Sequence, residues 1–334
     1  MRCDTSEFRE RLDGKRLFLS GGTGFFGKWL LATLRASGAE AEVTVLSRDP
    51  KRFLAACPEF DHWRNLRFIA GDVRSFPFPP GTFDLVIHAA TDASAKLLAE
   101  QPEEMYDVIV SGTRRMLAFA ETAQAERFLF TSSGAVYGVQ PPELEGIPEN
   151  FPCHPVTAYG RGKLEAEQLC IASGLPVLLP RCFAFVGPYL NLGIHFAIGN
   201  FLRDGLRGGP IVVQGDGRPF RSWLYAGELA EWLWTILFQG VSGRPYNVGS
   251  PESFSIAEAA DLTASCFEPV PHVEIRGKRS DGPAPRYVPD VTRAREELGL
   301  AAAVPLREAL RRTIAFHRNR GAVTSPPAPG SSTY

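Results

Sequence analysis

Short apolar runs alternate with amphipathic stretches between Arg16 and Thr131. The runs RLFL (16–19), EVTVLS (42–47), NLRFIA (65–70), FDLVIH (83–88) and RFLFTS (127–132) are rich in β-branched and aromatic residues and are bounded by Gly, Pro or Asp. Each reads as a buried strand, because a strand covered on both faces has no solvent side to carry polar residues. Between the last two, Met105, Val108, Ile109, Gly112, Met116, Phe119 and Ala120 recur at helical spacing, which predicts a crossover helix over 102–124. Strands alternating with helices predict a doubly wound parallel α/β sheet of Rossmann type, whose ligands sit beyond the carboxyl ends of the strands. Candidate chemistry is therefore sought in the loops that come after strands.

The first such loop is SGGTGFFG at 20–27, where Gly21, Gly24 and Gly27 stand three apart and an apolar helical segment begins at Phe25. In a strand, turn and helix of this kind the first glycine permits the turn. The second lets backbone approach a pyrophosphate, and the third lets helix pack on strand. Free N–H groups at the helix start then face the anion. NAD or NADP is the expected cofactor, with Phe25 and Phe26 counted in its turn. After the second strand, VLSRDP places Ser47 and Arg48 where an acidic residue would bind a ribose 2′-hydroxyl. An Arg suits a 2′-phosphate, which tilts the reading toward NADP, although Arg48 can equally stack on adenine or be solvated. Asp72 and Val73 after the third strand are candidates for flanking the adenine, the alternative for Asp72 being a turn cap. Ala89, Ala90 and Thr91 after the fourth are small where a nicotinamide ribose needs room, with Thr91 also a candidate substrate contact.

The fifth run ends in TSSGAVYG, and downstream Tyr159 and Lys163 stand four apart in TAYGRGKLEAEQL, one turn of a predicted helix. A phenol of ordinary pKa near 10 is a poor base at neutrality, and a neighbouring ammonium is expected to favour its phenolate. Ser133 can then hold a reacting oxygen while Tyr159 moves its proton and a nicotinamide exchanges hydride.

Charge and cysteines narrow the class. A net charge of -1 across 334 residues gives no sign of a polyanion partner, so nucleic acid is not expected. Six cysteines lie far apart without a Cys-x-x-Cys pair, which argues against zinc and against a disulfide scaffold, and no metal is expected. The charged start MRCDTSEFRERLDGKR and the lack of a membrane-length apolar run lead to the expectation of a cytoplasmic protein.

With these motifs in place, the chain resembles an extended short-chain dehydrogenase/reductase of the NAD-dependent epimerase/dehydratase family, whose members act on nucleotide-diphosphate sugars. Gly21, Gly24 and Gly27 match its cofactor turn, Ser133 its catalytic Ser/Thr, and Tyr159 with Lys163 its Tyr-x-x-x-Lys. LPRCFAFVGP (179–188), GGPIVVQGDGRPFRSWLYAGELA (208–230), RPYNVGS (244–250) and RYVPDVTRAREELGL (286–300) are also similar to family segments. The resemblance implies that Arg221 meets the substrate diphosphate, that Arg279 is a second phosphate ligand, and that two copies pair through the crossover helix and the Tyr159 helix. Three departures stand out. Ser133-Gly134-Ala135 replaces the Thr-Asp-Glu of the dehydratases, removing the acid and carboxylate that elimination needs; the same change argues against a uronate decarboxylase. Ile109 and Ala184 replace two family asparagines, removing an expected water-mediated support of Lys163 and one hydrogen bond from the phosphate site.

The expected organisation is a cofactor-binding domain over residues 1–175 that also carries the catalytic residues. A smaller C-terminal α/β substrate lobe comes next over 176–320, with strands returning to the sheet, and then a disordered tail over 321–334. Phe183, Phe185, Tyr189, His195 and Phe196 are candidates for a stacking face, and the basic pairs Arg218/Arg221 and Lys278/Arg279 suit a diphosphate. The expected function is a nucleotide-sugar 4-epimerase acting through a 4-keto intermediate. The alternative is an NADPH-dependent 4-ketoreductase or dehydrogenase, with a non-catalytic dinucleotide sensor as the reading from another class.

Overall fold

The computed structural model describes residues 5–91, 100–193 and 197–321. In the first half the strands are β1 (Arg16–Ser20), β2 (Glu42–Ser47), β3 (Leu66–Ala70), β4 (Leu85–His88), β5 (Arg127–Phe130) and β6 (Ser132–Ser133). After them come β7 (Val177–Cys182), β8 (Phe185–Val186), β9 (Ile211–Val213), β10 (Phe220–Ser222), β11 (Leu224–Tyr225), β12 (Pro245–Val248), β13 (Ser253–Ser255), β14 (Val273–Ile275) and β15 (Arg286–Tyr287). The main sheet runs β3-β2-β1-β4-β5-β7-β12, parallel throughout, and β6 also pairs with β7. This is the expected doubly wound sheet.

Because successive strand residues face opposite ways, Leu17, Leu19, Leu85 and Ile87 enter one core while Phe18 and Val86 enter the other. The first is covered by the helices Phe25–Ser37 and Ala226–Gln239, with Trp232 and Trp234 fully enclosed. The second lies under the crossover helix Pro102–Thr122 and the Tyr159 helix Ala158–Ala172. There the Phe119 ring sits 4.4 Å from that of Phe18. Each such side chain contributes roughly 1.5–3 kcal/mol by leaving water, which is why the apolar runs, more than any polar motif, fix the layer order.

Two strands depart from the sequence expectation by more than one residue. β4 begins at Leu85 because the Phe83 amide bonds to the Ala123 carbonyl at the end of the crossover helix, 3.0 Å away. The run 127–132 breaks at Thr131, whose carbonyl oxygen receives the Lys163 ammonium at 2.7 Å. Beyond residue 182 the chain alternates between the main sheet and three small ones, β13-β10-β15, β11-β8 and β14-β9, around a separate core that includes Phe201, Leu202, Trp223 and Leu310. The five described cysteines are unpaired, with Cys57, Cys170 and Cys182 buried. Cys3, His195, Phe196 and residues 322–334 lie outside the described residues. No described helix is long and apolar enough to cross a membrane.

Candidate active site

The strand order reverses between β1 and β4, and the loops leaving these two strands meet at the crevice this creates. Gly21 has φ +75°, a left-handed conformation, and a Cβ there would come within 2.4 Å of the Ala89 carbonyl at the end of β4. Any side chain would push the two loops apart. Gly24 closes the turn through its amide to the Gly21 carbonyl at 2.9 Å and caps the helix Phe25–Ser37 with no side-chain bond. The helix's first N–H groups are thus left for a ligand. A Cβ on Gly27 would lie 2.3 Å from the Gly22 Cα, so helix and turn touch directly. This uncapped glycine cradle fits a dinucleotide pyrophosphate.

At the adenosine end both nearby carboxylates are engaged. Asp49 accepts the Arg52 amide at 3.0 Å, capping the next helix, and its own amide bonds to the buried Ser47 hydroxyl at 3.2 Å. Asp72 holds the Arg74 guanidinium at 3.0 and 3.1 Å and the Arg74 amide at 2.9 Å. Arg74 also grips Glu104 and Asp107 of the crossover helix. The hydrogen bond from Arg74 chiefly lowers the Asp72 pKa, with a smaller contribution from the charge of Arg48. Val73 points into the core against Gly112.

The catalytic candidates converge on the end of β5. Ser133 caps the short turn Gly134–Tyr137, its hydroxyl accepting the Ala135 amide at 3.2 Å. Thr157 caps the Tyr159 helix by accepting the Gly160 amide at 3.0 Å. The Lys163 ammonium, almost fully buried, donates to the Thr131 carbonyl at 2.7 Å and the Thr91 hydroxyl at 2.8 Å, and lies 5.8 Å from the Tyr159 ring centre. Ile109, in place of the family asparagine, packs on Gly162 and leaves Lys163 to these two protein acceptors.

The phenol corrects one expectation. Burial pushes the Tyr159 pKa up to about 12, opposed by a hydrogen bond with the Ser133 hydroxyl, and Lys163 does not count among its principal influences. Burial instead drives Lys163 down to about 8. Desolvation outweighs the attraction between the two groups because both are enclosed. His88, also enclosed, is held neutral at about 3 by burial and then by the charge of Lys163. Its ring links the Ser20 hydroxyl at 2.8 Å to the Thr113 hydroxyl at 3.2 Å.

One turn beyond Lys163, Glu167 is buried and accepts the Arg181 guanidinium at 3.0 and 2.7 Å and the Ser132 hydroxyl at 2.5 Å. This pair fastens the Tyr159 helix to β6 and β7. In the sequence Arg181 stands only as one residue of the LPRCFAFVGP segment, and nothing local marks Glu167.

On the substrate side the Phe183 ring lies over Gly134, where a Cβ would come within 2.7 Å of it. Phe183 packs on Tyr287 with ring centres 4.7 Å apart, and the Arg221 guanidinium is 5.9 Å from the centre of the Tyr287 ring. Burial raises the Tyr287 pKa well above the usual phenol range, again opposed by the Ser133 hydroxyl. Tyr287 is therefore a second phenol at Ser133. Its only signal in the sequence was membership of the RYVPD segment. Burial lowers the Arg221 pKa, and the side chain donates to the Phe220 carbonyl at 2.8 Å. Arg279 is exposed, in the loop that leads toward β15. Of the proposed stacking face, Phe185 is in the main core and Tyr189 turns to Glu59 at 2.8 Å, so neither joins Phe183. Among the described residues no group of side chains has the makings of a metal site.

The family described as "NAD dependent epimerase/dehydratase family" matches residues 17–249. Among curated proteins, UDP-glucuronic acid decarboxylase 1 of Danio rerio is 30% identical over 322 residues, covering 93% of this chain and 74% of that protein. UDP-glucuronic acid decarboxylase 2 of Arabidopsis thaliana is 31% identical over 318 residues, covering 92% and 69%. Among solved structures, UDP-glucose 4-epimerase of Thermotoga maritima with UDP-glucose superposes with TM-score 0.79 at 21% identity, covering 91% of this chain and 99% of that one. MoeE5 in complex with UDP-glucose and NAD gives 0.77 at 27% identity, covering 92% and 100%. With its glycine cradle, its strand order and its Ser, Tyr and Lys at one strand end, the chain belongs to the NAD-dependent epimerase/dehydratase family.

Proposed function

We propose that the chain is a nucleotide-sugar 4-epimerase that works through a 4-keto intermediate. The observation that carries this is the composition of the strand end at Ser133: two phenols, an ammonium and the serine hydroxyl, with Gly134 and Ala135 offering no carboxyl group and Phe183 covering Gly134. Bound nicotinamide supplies the hydride acceptor and donor. Burial raises the Tyr159 pKa to about 12, so the positive charge of a bound oxidised nicotinamide would be needed to favour its phenolate. That phenolate takes the proton of the C4 hydroxyl, Ser133 orients that oxygen, and Lys163 holds Thr91 and the Thr131 carbonyl in place around it. After the ketone turns over, the same phenol returns the proton. Return of hydride to the other face, which the bound nicotinamide would supply, would invert C4 with no net redox change. Gly21, Gly24, Gly27 and the N-terminus of the helix Phe25–Ser37 would cradle the cofactor pyrophosphate, and Arg221 with Arg279 would meet the substrate diphosphate. The relatives named as decarboxylases make loss of carbon dioxide the natural rival, and the lack of a carboxyl group at 134 and 135 argues against it.

A second reading, an NADPH-dependent 4-ketoreductase, is favoured by the adenosine end, where Asp49 and Asp72 are both engaged and Arg48 stands in the loop. Pairing of two copies through the crossover helix and the Tyr159 helix belongs to either reading. Both are tested by incubating the protein with UDP-glucose, UDP-galactose, UDP-N-acetylglucosamine and UDP-glucuronic acid without added cofactor and following products by NMR. Appearance of a 4-epimer is expected. Turnover seen only when NADP is added and reduced one for one to NADPH, or release of carbon dioxide, would overturn the epimerase.

A further inference from the structure

Two loops of the C-terminal half are fastened to each other by a reciprocal set of bonds. One Asp216 oxygen accepts the Ser280 amide at 3.0 Å and the Ser280 hydroxyl at 2.6 Å, and the other accepts the Arg218 amide at 3.1 Å. Arg218 reaches back, donating to the Ser280 carbonyl at 2.5 Å and the Gly282 carbonyl at 2.8 Å. Alongside, the Gly277 amide bonds to the Gly215 carbonyl at 3.1 Å. The backbones are so close there that a Cβ on Gly277 would lie 2.2 Å from the Gly215 carbonyl carbon.

The strands beyond the two loops give this clamp its meaning. The Asp216 loop leads into β10 and the Ser280 loop into β15. These strands run parallel for two residue pairs, Phe220 with Arg286 and Arg221 with Tyr287. So short a ladder fixes its offset weakly, and a slip of one residue would turn Arg221 away from Tyr287. Because the strands are parallel, both loops enter from the same end. Tying them together ahead of the first rung, the Phe220 amide to the Pro285 carbonyl at 2.8 Å, therefore sets that offset from the loop end, while Gln140 holds β15 through the Val288 amide at 2.9 Å from the far end. Arg279 is the chain neighbour of the clamped Ser280, so its backbone is placed by the same bonds.

We propose that Asp216 and Arg218 are positioning residues for diphosphate recognition: their clamp locks β10 against β15 and so sets Arg221 and Arg279 to receive the two phosphates of a nucleoside diphosphate. This rests on the nucleotide-sugar reading above. The test titrates UDP and dTDP by calorimetry into the full chain with its cofactor, as wild type, Asp216→Asn, Asp216→Ala, Arg218→Ala and the double alanine variant. Amide exchange at Ser280 is measured in parallel, and KM and kcat are determined with whichever sugar turns over. Each single alanine variant is expected to weaken nucleotide binding and raise KM about tenfold while kcat changes by less than roughly threefold. Ser280 should exchange faster, and the double variant should be no worse than either single one, because both break one clamp. A role in general stability alone would lower kcat and leave KM in place. Wild-type nucleotide affinity in variants whose Ser280 amide has been released would overturn the positioning role, and unchanged exchange would overturn the clamp. A wild-type protein that binds neither nucleotide would show itself separately, overturning the functional reading together with the inference.

Discussion

Phe183 lies across Gly134 so closely that a single added methyl group would meet three of its ring atoms at 2.7 to 2.8 Å. The ring has little room to retreat, since Tyr137 and Tyr287 flank it. Gly134→Ala is expected to destabilise the fold by about 1–3 kcal/mol. In a Phe183→Ala background most of that cost should vanish, and a urea double-mutant cycle reads the difference. Equal costs in both backgrounds would mean that the ring does not guard the position.

Replacing Tyr159 by Phe removes the proton carrier and leaves its ring. Turnover is expected to fall by about two or more orders of magnitude with little change in cofactor affinity, measured by steady-state kinetics and NAD fluorescence titration. An undiminished rate would transfer the proton-transfer role elsewhere, with Tyr287 the first suspect.

Lys163 gives a pH-dependent signature. Its folded pKa of about 8 lies below the ordinary 10.5, so between these values the unfolded chain binds the extra proton. Folding stability from this group is therefore present above about pH 10.5 and is lost as pH falls through 8. Relative to Lys163→Met, the wild type should gain about 3 kcal/mol in unfolding free energy as pH rises across that window. Parallel stability curves for the two proteins would show that the ammonium is not desolvated.

The buried Glu167–Arg181 pair predicts an asymmetry. Glu167→Gln leaves the guanidinium enclosed without its counter-charge and should cost about 3–5 kcal/mol, whereas Glu167→Gln combined with Arg181→Met should recover part of it. Guanidinium chloride melts of the three proteins check this. The single variant should also lose turnover, because the pair anchors the helix carrying Tyr159 and Lys163.

At the adenosine end, Arg48→Ala is expected to weaken NADP binding about tenfold and to leave NAD affinity within roughly a factor of two. Calorimetry with both cofactors reads whether the adenosine end selects a 2′-phosphate. Equal losses for both would mean that Arg48 stacks on the adenine and does not meet a phosphate.

The features legible in the sequence were local. The spacing of Gly21, Gly24 and Gly27 needs only a strand, a turn and a helix start, and the four-residue step from Tyr159 to Lys163 needs only one helical turn. The parallel runs were visible because burial on both faces leaves no polar alternation. The features that escaped depend on residues far apart in the chain. Tyr287 reaches the site through β15, and the cover over Gly134 comes from Phe183. The upward shift of the Tyr159 phenol could not be read from its neighbour Lys163, because enclosure by distant segments decides it. Asp49 shows the same limit, since nothing in the spacing revealed its helix cap, whereas for Asp72 the turn-cap alternative is met by the Arg74 amide and only the grip of the Arg74 guanidinium went unread.

The placement of β7 and β12 outside β5 has a consequence for anyone cutting the gene. A fragment ending at residue 175 would contain the glycine cradle, Ser133, Tyr159 and Lys163, yet the backbone of β5 would have nothing to bond on its outer flank, and Arg181 would be missing beneath Glu167. Such a half would tend to recruit strands from other molecules. The ribosome must likewise deliver residue 248 before the sheet it began at Arg16 is complete.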